Sequence, residues 1–250
     1  MSSKARRVKG IWKMTVRQNR QTIRRSRGRP QIRPDEETRL LVIAAARQEF
    51  LAKGYAGASM AAVAERAGVS TKTMYRLIPT KADLFRSVVS DRISRFMLDI
   101  DDEALDALPL DKALERMLAA YGTLTLDGES IAIQRLVLGE CDRFPELAAS
   151  FYELAIRGTS EAMQGWLKRQ CDRGLIAVED LAAATDMLRG MMIMGPQRAV
   201  MLGQRRAPEA DEIETRARYC ARIFLEGCRR RTEGLLLGHH PGFTHEFGVR

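Results

Sequence analysis

Residues Ser59–Phe85 read SMAAVAERAGVSTKTMYRLIPTKADLF, and this stretch predicts two short helices, a tight turn and the start of a third helix. Ser59 can cap the first helix, because a serine hydroxyl accepts hydrogen bonds from the free amides of an opening turn. Gly68 suits the left-handed residue that ends a helix, and Ser70 can cap the next one. Pro79 ends that second helix, because the residue before a proline avoids the helical region. Two short helices around a Gly-containing turn form the helix-turn-helix pattern.

The second of these helices is too polar on one face to be buried. Thr71, Lys72 and Arg76 share its outer face, whereas Met74 points inward. Threonine and long cations can reach the base edges or phosphates of DNA. Lys81 opens the helix that follows Pro79, where an ammonium and the free amides of a helix end can hold one phosphate together. The predicted DNA-binding residues are Ser59, Ser70, Thr71, Lys72, Thr73, Tyr75, Arg76 and Lys81.

Residues 50–85 resemble the DNA-binding domain of the TetR family of transcriptional regulators. The shared positions are Phe50, Gly54, Tyr55, Ser59, Val63, Ala64, Ala67, Gly68, Val69, Ser70, Thr73, Tyr75, Lys81, Leu84 and Phe85. The sequence departs from the family at Lys72, where a small residue is common, and at Leu77 and Ile78, where the family prefers aromatic residues. Lys72 could therefore contact either a guanine or a phosphate. The alternative is a helical hairpin buried in a larger all-α protein, which would not require so many agreements at fixed spacing.

The net charge of +9 is concentrated at the start of the chain. Residues 1–34 contain twelve Lys or Arg residues and no acid, which leaves a balance of −3 for the rest. We expect a disordered basic arm that adds phosphate contacts or enters the minor groove through the RGRP segment at Arg27–Pro30. A start at Met14 would shorten this arm, and a solvated tail with no role in binding is the plain alternative.

The whole chain predicts an all-α fold, with an N-terminal three-helix helix-turn-helix DNA-binding domain and a larger helical ligand-binding and dimerisation domain. The first helix should begin near Asp35 and end at Gly54. Its predicted buried stripe consists of Leu40, Ile43, Ala44, Ala46, Phe50 and Leu51. Later helices are expected at 81–100, 110–126, 130–143, 146–173, 180–203 and 208–231. The predicted divisions are a basic arm at 1–34, the DNA-binding domain at 35–82, the effector-binding and dimerisation domain at 83–231 and a flexible tail at 232–250.

Two segments of the larger domain, at residues 135–155 and 174–192, resemble the C-terminal domain of the AefR-like branch of the same family. The resemblance implies a sensor that binds a small, usually apolar ligand between helices and so changes the spacing of two DNA-binding domains. Such a ligand must prefer the conformation that fits DNA poorly. The candidate pocket residues, each of which could also be ordinary core, are Tyr121, Leu136, Phe151, Met163, Trp166, Leu167, Met187, Met191 and Met194.

The last two helices carry apolar residues at helical spacing, which predicts either core or a partner surface. One stripe consists of Leu188, Met191, Met192, Gly195, Ala199 and Leu202, and the other of Ile213, Ala217, Cys220, Phe224 and Cys228. The family resemblance favours a four-helix homodimer interface. A dimer also presents two recognition helices one DNA turn apart, which suits a near-palindromic operator in double-stranded DNA.

The sequence contains no GxSxG, P-loop, HExxH or Rossmann glycine pattern, so we expect no catalytic site, metal or cofactor. No apolar run is long enough to span a bilayer, and the start lacks a signal-peptide pattern. Four cysteines without CxxC pairing suit a reducing cytoplasm. We therefore predict a cytoplasmic repressor that an unidentified small ligand releases from its operator. The alternatives are a ligand-independent DNA-binding dimer and a helical enzyme or scaffold.

Overall fold

The computed structural model describes residues 34–228, and its regular elements are helices. In chain order they are α1 (Asp35–Gly57), α2 (Met60–Arg66), α3 (Thr71–Leu77), α4 (Lys81–Asp99), α5 (Asp102–Asp106), α6 (Leu110–Leu126), α7 (Gly128–Glu140), α8 (Pro145–Phe151), α9 (Gly158–Asp172), α10 (Leu181–Met201) and α11 (Ala210–Cys228). A π-helical stretch, Tyr152–Arg157, joins α8 to α9. The all-α prediction is confirmed. The basic arm, apart from Pro34, and the tail lie outside the described residues.

The first helix, α1, begins where the sequence predicts and is broken at Gly54, whose φ of 71° and ψ of 177° are not helical. Its buried face runs through Val42 and Phe50. The predicted burial of Leu40 and Ala44 is wrong, because both side chains are exposed. The reason is that α1 packs against α2, α4 and α7, and these tertiary neighbours select a different face from the one that the apolar pattern suggests.

The first hydrophobic core, here called the proximal core, is built by α1–α4 together with parts of α7 and α8. Aromatic rings surround Tyr55, whose ring centroid lies 5.7 Å from that of Phe50 and 5.0 Å from that of Phe144. Val137 and Leu147, from the larger domain, are buried in this core. The helix-turn-helix therefore shares its core with the helices that follow it.

The second hydrophobic core, here called the distal core, lies chiefly among α6, α9, α10 and α11, and the end of α4 reaches it. Its largest fully buried side chains are Trp166 and Tyr121. It also contains the buried methionines Met117, Met163 and Met192. Because methionine side chains adapt to irregular spaces, this core is less rigidly specified than the aromatic proximal core.

The apolar stripes predicted in the last two helices belong mostly to the distal core. Leu188 and Met192 of α10 and Ile213 and Ala217 of α11 are buried within the single chain. The helix α6 approaches both closely, because a Cβ on Gly122 would lie 2.5 Å from Met192 Cε and 2.8 Å from Ile213 Cγ2. The core alternative is therefore the correct one for these four residues.

Residues 34–228 contain no helix that is both long and apolar enough to cross a bilayer. In the same range, no group of three or more His, Cys, Asp or Glu side chains is arranged to hold a metal ion. None of the four cysteines forms a disulfide, and Cys220 is buried in the distal core, as a small apolar side chain would be.

Candidate nucleic-acid interface and ligand pocket

The two helices of the helix-turn-helix, α2 and α3, begin at the serines that the sequence predicts. The Ser59 hydroxyl accepts a hydrogen bond from the amide of Ala62 at 3.1 Å, and the Ser70 hydroxyl accepts one from the amide of Thr73 at 3.0 Å. Gly68 has the positive φ, 66°, that its place in the turn requires. Local sequence therefore determines where both helices start and how the turn between them runs.

The outer face of α3 carries the predicted polar side chains. Thr71, Lys72 and Tyr75 are exposed, and Tyr75 keeps 53% of its surface accessible. Met74 and Leu77 are buried in the proximal core, which holds this polar face toward solvent. The arrangement makes a hydroxyl, an ammonium and a phenol accessible to the phosphates and base edges of a nucleic acid.

Arg76 pairs with an acid that sequence reasoning missed. Its guanidinium donates to both carboxylate oxygens of Asp35, at 2.6 and 2.8 Å, and this hydrogen bonding raises the pKa of Arg76. Arg39 donates to the carbonyl of Leu77 at 3.1 Å. Both arginines therefore tie α3 to α1. Two of the five N–H donors of Arg76 are used on Asp35, and a DNA contact through the others stays a prediction. The acidic first turn of α1 is the one sequence signal for this ion pair. It does not predict the pair by itself, because no local pattern shows that α3 lies beside α1.

Lys81 opens α4, as predicted, and its ammonium contacts the end of α1. It donates to the carbonyls of Ala58 at 2.8 Å and Ala56 at 3.2 Å, and it lies 4.8 Å from the centre of the Tyr55 ring. Burial lowers the pKa of Lys81. Two of the three N–H donors of the ammonium are thus used within the protein, and a phosphate contact through the third stays a prediction.

Glu140, the last residue of α7, reaches the helix-turn-helix from the larger domain. Its carboxylate accepts hydrogen bonds from the amides of Tyr55 at 2.7 Å and Ala56 at 3.1 Å. These amides are available because the break at Gly54 interrupts the hydrogen-bond pattern of α1. Sequence reasoning missed this contact, since Glu140 and Tyr55 are 85 residues apart and no local pattern marks the pair.

The nine predicted pocket residues are not gathered around one cavity. Five belong to the distal core or pack against it: Tyr121, Met163, Trp166, Leu167 and Met191. Two pack on the proximal core instead: Leu136 and Phe151. The other two lie at the surface, with exposed fractions of 68% and 50%: Met187 and Met194. A pocket that used all nine would require movement of the helices that carry them.

A surface pocket of about 220 Å³ lies between residues 105–113 and the end of α9. Its polar lining comes from Trp166, Gln170, Arg173 and Asp106. Its apolar lining consists of Leu105, Leu108, Pro109, Leu110, Ala113 and Leu175. The indole N–H of Trp166 is buried and has no acceptor within residues 34–228. An unpaired buried donor is costly, and Trp166 is also a lining residue of this pocket.

A polar cluster centred on Arg189 joins α6, α9 and α10 inside the larger domain. Arg189 donates to the hydroxyl of Tyr121 at 3.0 Å and to that of Thr159 at 3.4 Å, and both partners are buried. Burial raises the pKa of Tyr121. Asp186 lies 3.6 Å from the same guanidinium. Sequence reasoning missed Arg189, because a single arginine on an amphipathic helix gives no sign that it points inward.

Arg216 of α11 completes the hydrogen bonding of α10. Pro196 has no amide hydrogen, so the carbonyl of Met192, four residues earlier, lacks its usual partner within the helix. Arg216 donates to this carbonyl at 2.6 Å and to the carbonyl of Met191 at 2.5 Å. The two last helices are thereby joined by a side chain at the position where the proline leaves a carbonyl exposed.

The outer surface of the last two helices and of the residue after α10, here called the outer apolar face, carries large side chains that are at least half exposed. They are Met187, Met194, Leu202, Tyr219 and Ile223. Met187 and Met194 are seven residues apart, and Tyr219 and Ile223 are four apart, so each pair lies on one side of its helix. Exposed apolar side chains that share one side of a helix are a common feature of interfaces.

Two family models match the chain. Residues 42–88 match the one described as bacterial regulatory proteins, tetR family. Residues 112–227 match the one described as AefR-like transcriptional repressor, C-terminal domain. Together the two matches span well over half of the chain. No curated protein matches it.

Solved structures of regulators share the fold. A TetR-family transcriptional regulator from Mesorhizobium loti is 26% identical, with a TM-score of 0.69 over 79% of this chain and 100% of that chain. The flavonoid-responsive regulator FrrA is 27% identical, with a TM-score of 0.63 over the same shares. The regulator FadR from Bacillus subtilis, in complex with stearoyl-CoA, has the same fold at 20% identity, with a TM-score of 0.60 over 75% of this chain and 98% of that chain. The chain therefore belongs to the TetR family of DNA-binding transcriptional regulators, with an AefR-like C-terminal domain.

Proposed function

We propose that the protein is a repressor that binds a near-palindromic operator as a homodimer and leaves it when a small effector binds. The observation that carries this proposal is that one molecule exposes both a polar face on α3 and the outer apolar face on α10 and α11. One recognition helix contacts few base pairs, whereas a two-fold dimer presents two of them one helical turn apart. Such a protein acts where the bacterial chromosome lies, in the cytoplasm.

The operator is the first part of the proposal to test. Selection from random-sequence DNA with the purified full-length chain should enrich one palindromic site. Enrichment of no site, with only weak and salt-sensitive binding, would contradict sequence-specific recognition. Lys72→Ala then separates two roles: a base contact costs about 1–3 kcal/mol and relaxes one operator position, whereas a phosphate contact weakens all sites alike and lowers the salt slope by about 1.

The basic segment at residues 1–34 supplies further phosphate attraction in this proposal. Deletion of residues 1–33 should weaken operator binding and flatten its dependence on salt, because fewer counterions are released. In this proposal Ser59 and Ser70, which cap their helices, also contact the backbone of DNA, and so does Thr73, whose hydroxyl lies 2.9 Å from that of Ser70. An unchanged salt slope after the deletion would show that the segment takes no part in binding.

The outer apolar face is the proposed homodimer interface. The double variant Tyr219→Asp/Ile223→Asp should be monomeric by light scattering and should lose operator affinity, because charges at an apolar interface are left unpaired. Leu98→Asp is a matched control, since Leu98 is 68% exposed on α4 and lies outside this face. A double variant that remains dimeric would move the interface elsewhere.

The pocket beside Trp166 is the proposed effector site. The FrrA relative responds to flavonoids, which supports an organic effector for this chain, but a volume of about 220 Å³ is below the roughly 300–1,000 Å³ of drug-sized sites. We infer a compact, largely apolar molecule with one strong acceptor, and benzoate is a suitable first probe. In a Trp12→Phe background, benzoate should change the fluorescence of Trp166 and release the operator. Release without a fluorescence change would place the effector at another site, and no effect from any compact acceptor would favour the ligand-independent alternative.

A further inference from the structure

The segment Gly54–Ala58 comprises the last turn of α1, after its break, and the residue that follows, and residues from other helices bind it. Gly54 interrupts α1, so the amides of Tyr55 and Ala56 start a new turn without the usual acceptors. Both amides donate to the carboxylate of Glu140, at 2.7 and 3.1 Å. A Cβ on residue 54 would lie 2.9 Å from Glu140 Oε1. The carboxylate therefore lies directly against the break.

Lys81 holds the same segment from its carbonyl side. Its ammonium donates to the carbonyls of Ala56 and Ala58, and the ring of Tyr55 lies beneath it. Lys81 is four residues beyond Leu77, the last residue of α3. The segment that Glu140 caps is thus joined through Lys81 to the end of α3, the proposed recognition helix.

The helix that carries Glu140, α7, is also attached to the last turn of α10. Arg135 donates to the carbonyls of Val200 at 2.6 Å and Met201 at 2.8 Å. Gln197 of α10 donates to the side chain of Gln134 at 2.9 Å. One helix therefore makes direct polar contacts both with the proposed dimerisation helix and with the segment that supports the recognition helix.

We propose that Glu140 is the positioning residue that fixes α3 relative to the larger domain, so that operator affinity depends on its carboxylate. This inference rests on operator binding by a dimer. Hydrogen bonds from amides to a carboxylate are stronger than neutral ones, whereas exposed ion pairs contribute little. Glu129, near the opposite end of α7, has a side chain that is 46% exposed, and its carboxylate pairs with arginines, Arg47 at 3.5 Å and Arg92 at 3.0 Å.

The test compares full-length Glu140→Ala and Glu140→Gln with the matched control Glu129→Gln on the selected operator, well below the unfolding temperature of each protein. Glu140→Ala should weaken binding by about tenfold or more, since hydrogen bonds to a charged group are lost. Glu140→Gln keeps one acceptor oxygen and should lose less. Glu129→Gln should stay within about twofold of the parent. Equal affinity of Glu140→Ala and the parent would overturn the inference.

Half-site spacing separates a positioning role from a purely structural one. The parent should bind operators whose half-sites are one base pair closer or further apart more weakly than the selected operator. This difference in affinity should be smaller for Glu140→Ala, because α3 is no longer fixed relative to the rest of the dimer. A purely structural role would lower the unfolding temperature and leave this difference in affinity unchanged in the folded protein. That second result would overturn the inference.

Hydrogen exchange gives a readout that does not need an operator. In Glu140→Ala, the amides of residues 55–56 and of α3, residues 71–77, should both exchange faster than in the parent. Faster exchange confined to residues 55–56, or none, would overturn the positioning role. If selection yields no palindromic site, the proposed function fails, and this exchange pattern still decides the role of Glu140.

A double-mutant cycle with Arg135→Ala tests the link to α10. If α7 transmits position through Glu140, Arg135→Ala should weaken operator binding in the parent and have a smaller effect in the Glu140→Ala background. Equal effects in the two backgrounds would show that Glu140 is only a local cap.

Discussion

The proximal and distal ends of the molecule hold their helices in different ways. At the proximal end, α2, α3 and α4 start at Ser59, Ser70 and Thr80, and each side chain accepts a hydrogen bond from an amide three residues later. At the distal end, α10 is completed by Arg135 of α7 and Arg216 of α11. The starts of α2, α3 and α4 are thus specified by their neighbours in sequence, whereas carbonyls in the C-terminal half of α10 are bound by side chains from other helices.

The two hydrophobic cores also differ in how strictly their side chains are positioned. The rings around Tyr55 pack with defined geometry in the proximal core, as aromatic side chains favour. The distal core is rich in methionine, with Met117, Met163 and Met192 fully buried. A fixed proximal end suits the presentation of α3 to DNA, and an adaptable distal end suits a response to a ligand.

The largest expected effect is at the aromatic cluster of the proximal core. Phe50 is 2% exposed and packs on Tyr55 and Phe85, so Phe50→Ala should cost about 3–5 kcal/mol in the free energy of unfolding. Leu40→Ala on the same helix should cost little, because Leu40 is 53% exposed. Urea unfolding at one protein concentration measures both. Similar losses for the two variants would contradict the assignment of the inward face of α1.

The sequence was sufficient for the features that depend on neighbouring residues. The caps at Ser59 and Ser70, the stop before Pro79 and the all-α fold are of this kind. It was insufficient for contacts between distant residues, such as Glu140 with Tyr55, because nothing local to either residue encodes the approach. The apolar pattern of α10 and α11 likewise did not show which stripe faces the core, since both faces of these helices carry large apolar side chains.

The next largest loss of unfolding free energy is expected at Gly122, where α6 lies close to the last two helices. Gly122→Ala should cost about 1–3 kcal/mol, because its Cβ would lie 2.8 Å from Ile213 Cγ2 and the packed core must shift. Gly139→Ala on α7 is the matched control, since its Cβ would meet nothing within 4 Å, and it should be neutral or stabilising. Thermal unfolding distinguishes them. If Gly122→Ala left the unfolding temperature unchanged, the distal core would adapt more easily than the close approach at Gly122 indicates.

A similar loss of unfolding free energy is expected when Arg216 is replaced, and its size should depend on whether residue 196 is proline. Arg216→Met removes the donors to the carbonyls of Met191 and Met192 and should cost about 1–3 kcal/mol, since the partly buried carbonyl of Met192 is left unpaired. Pro196→Ala restores an amide that can donate to the carbonyl of Met192 within α10. The cost of Arg216→Met should therefore be smaller in the Pro196→Ala background. Equal costs in both backgrounds would show that Arg216 acts through packing alone.

The smallest expected effect concerns two acids, one at each end of the molecule. Glu49 lies under the proximal helices with its side chain 1% exposed, and a hydrogen bond from Lys53, with further attraction from Arg66, lowers its pKa below the ordinary 4.5. Glu212 is 47% exposed at the start of α11, and a hydrogen bond from Arg205 lowers its pKa. Both carboxylates therefore stabilise the fold above about pH 4.5, and both contributions are lost as pH falls through the lowered native pKa.

Salt should separate the two acids. Glu49→Gln and Glu212→Gln should each flatten the fall of unfolding free energy below pH 4.5, because the variant no longer takes up that proton. The Debye length falls to about 3 Å at 1 M salt, so the exposed Glu212–Arg205 pair should lose most of its contribution there, whereas the covered Glu49 should keep more of its own. Urea unfolding from pH 3 to 7 at low and high salt measures both effects. If salt removes the Glu49 effect as completely as the Glu212 effect, Glu49 is as hydrated as a surface acid, and the difference between the two ends does not extend to their ion pairs.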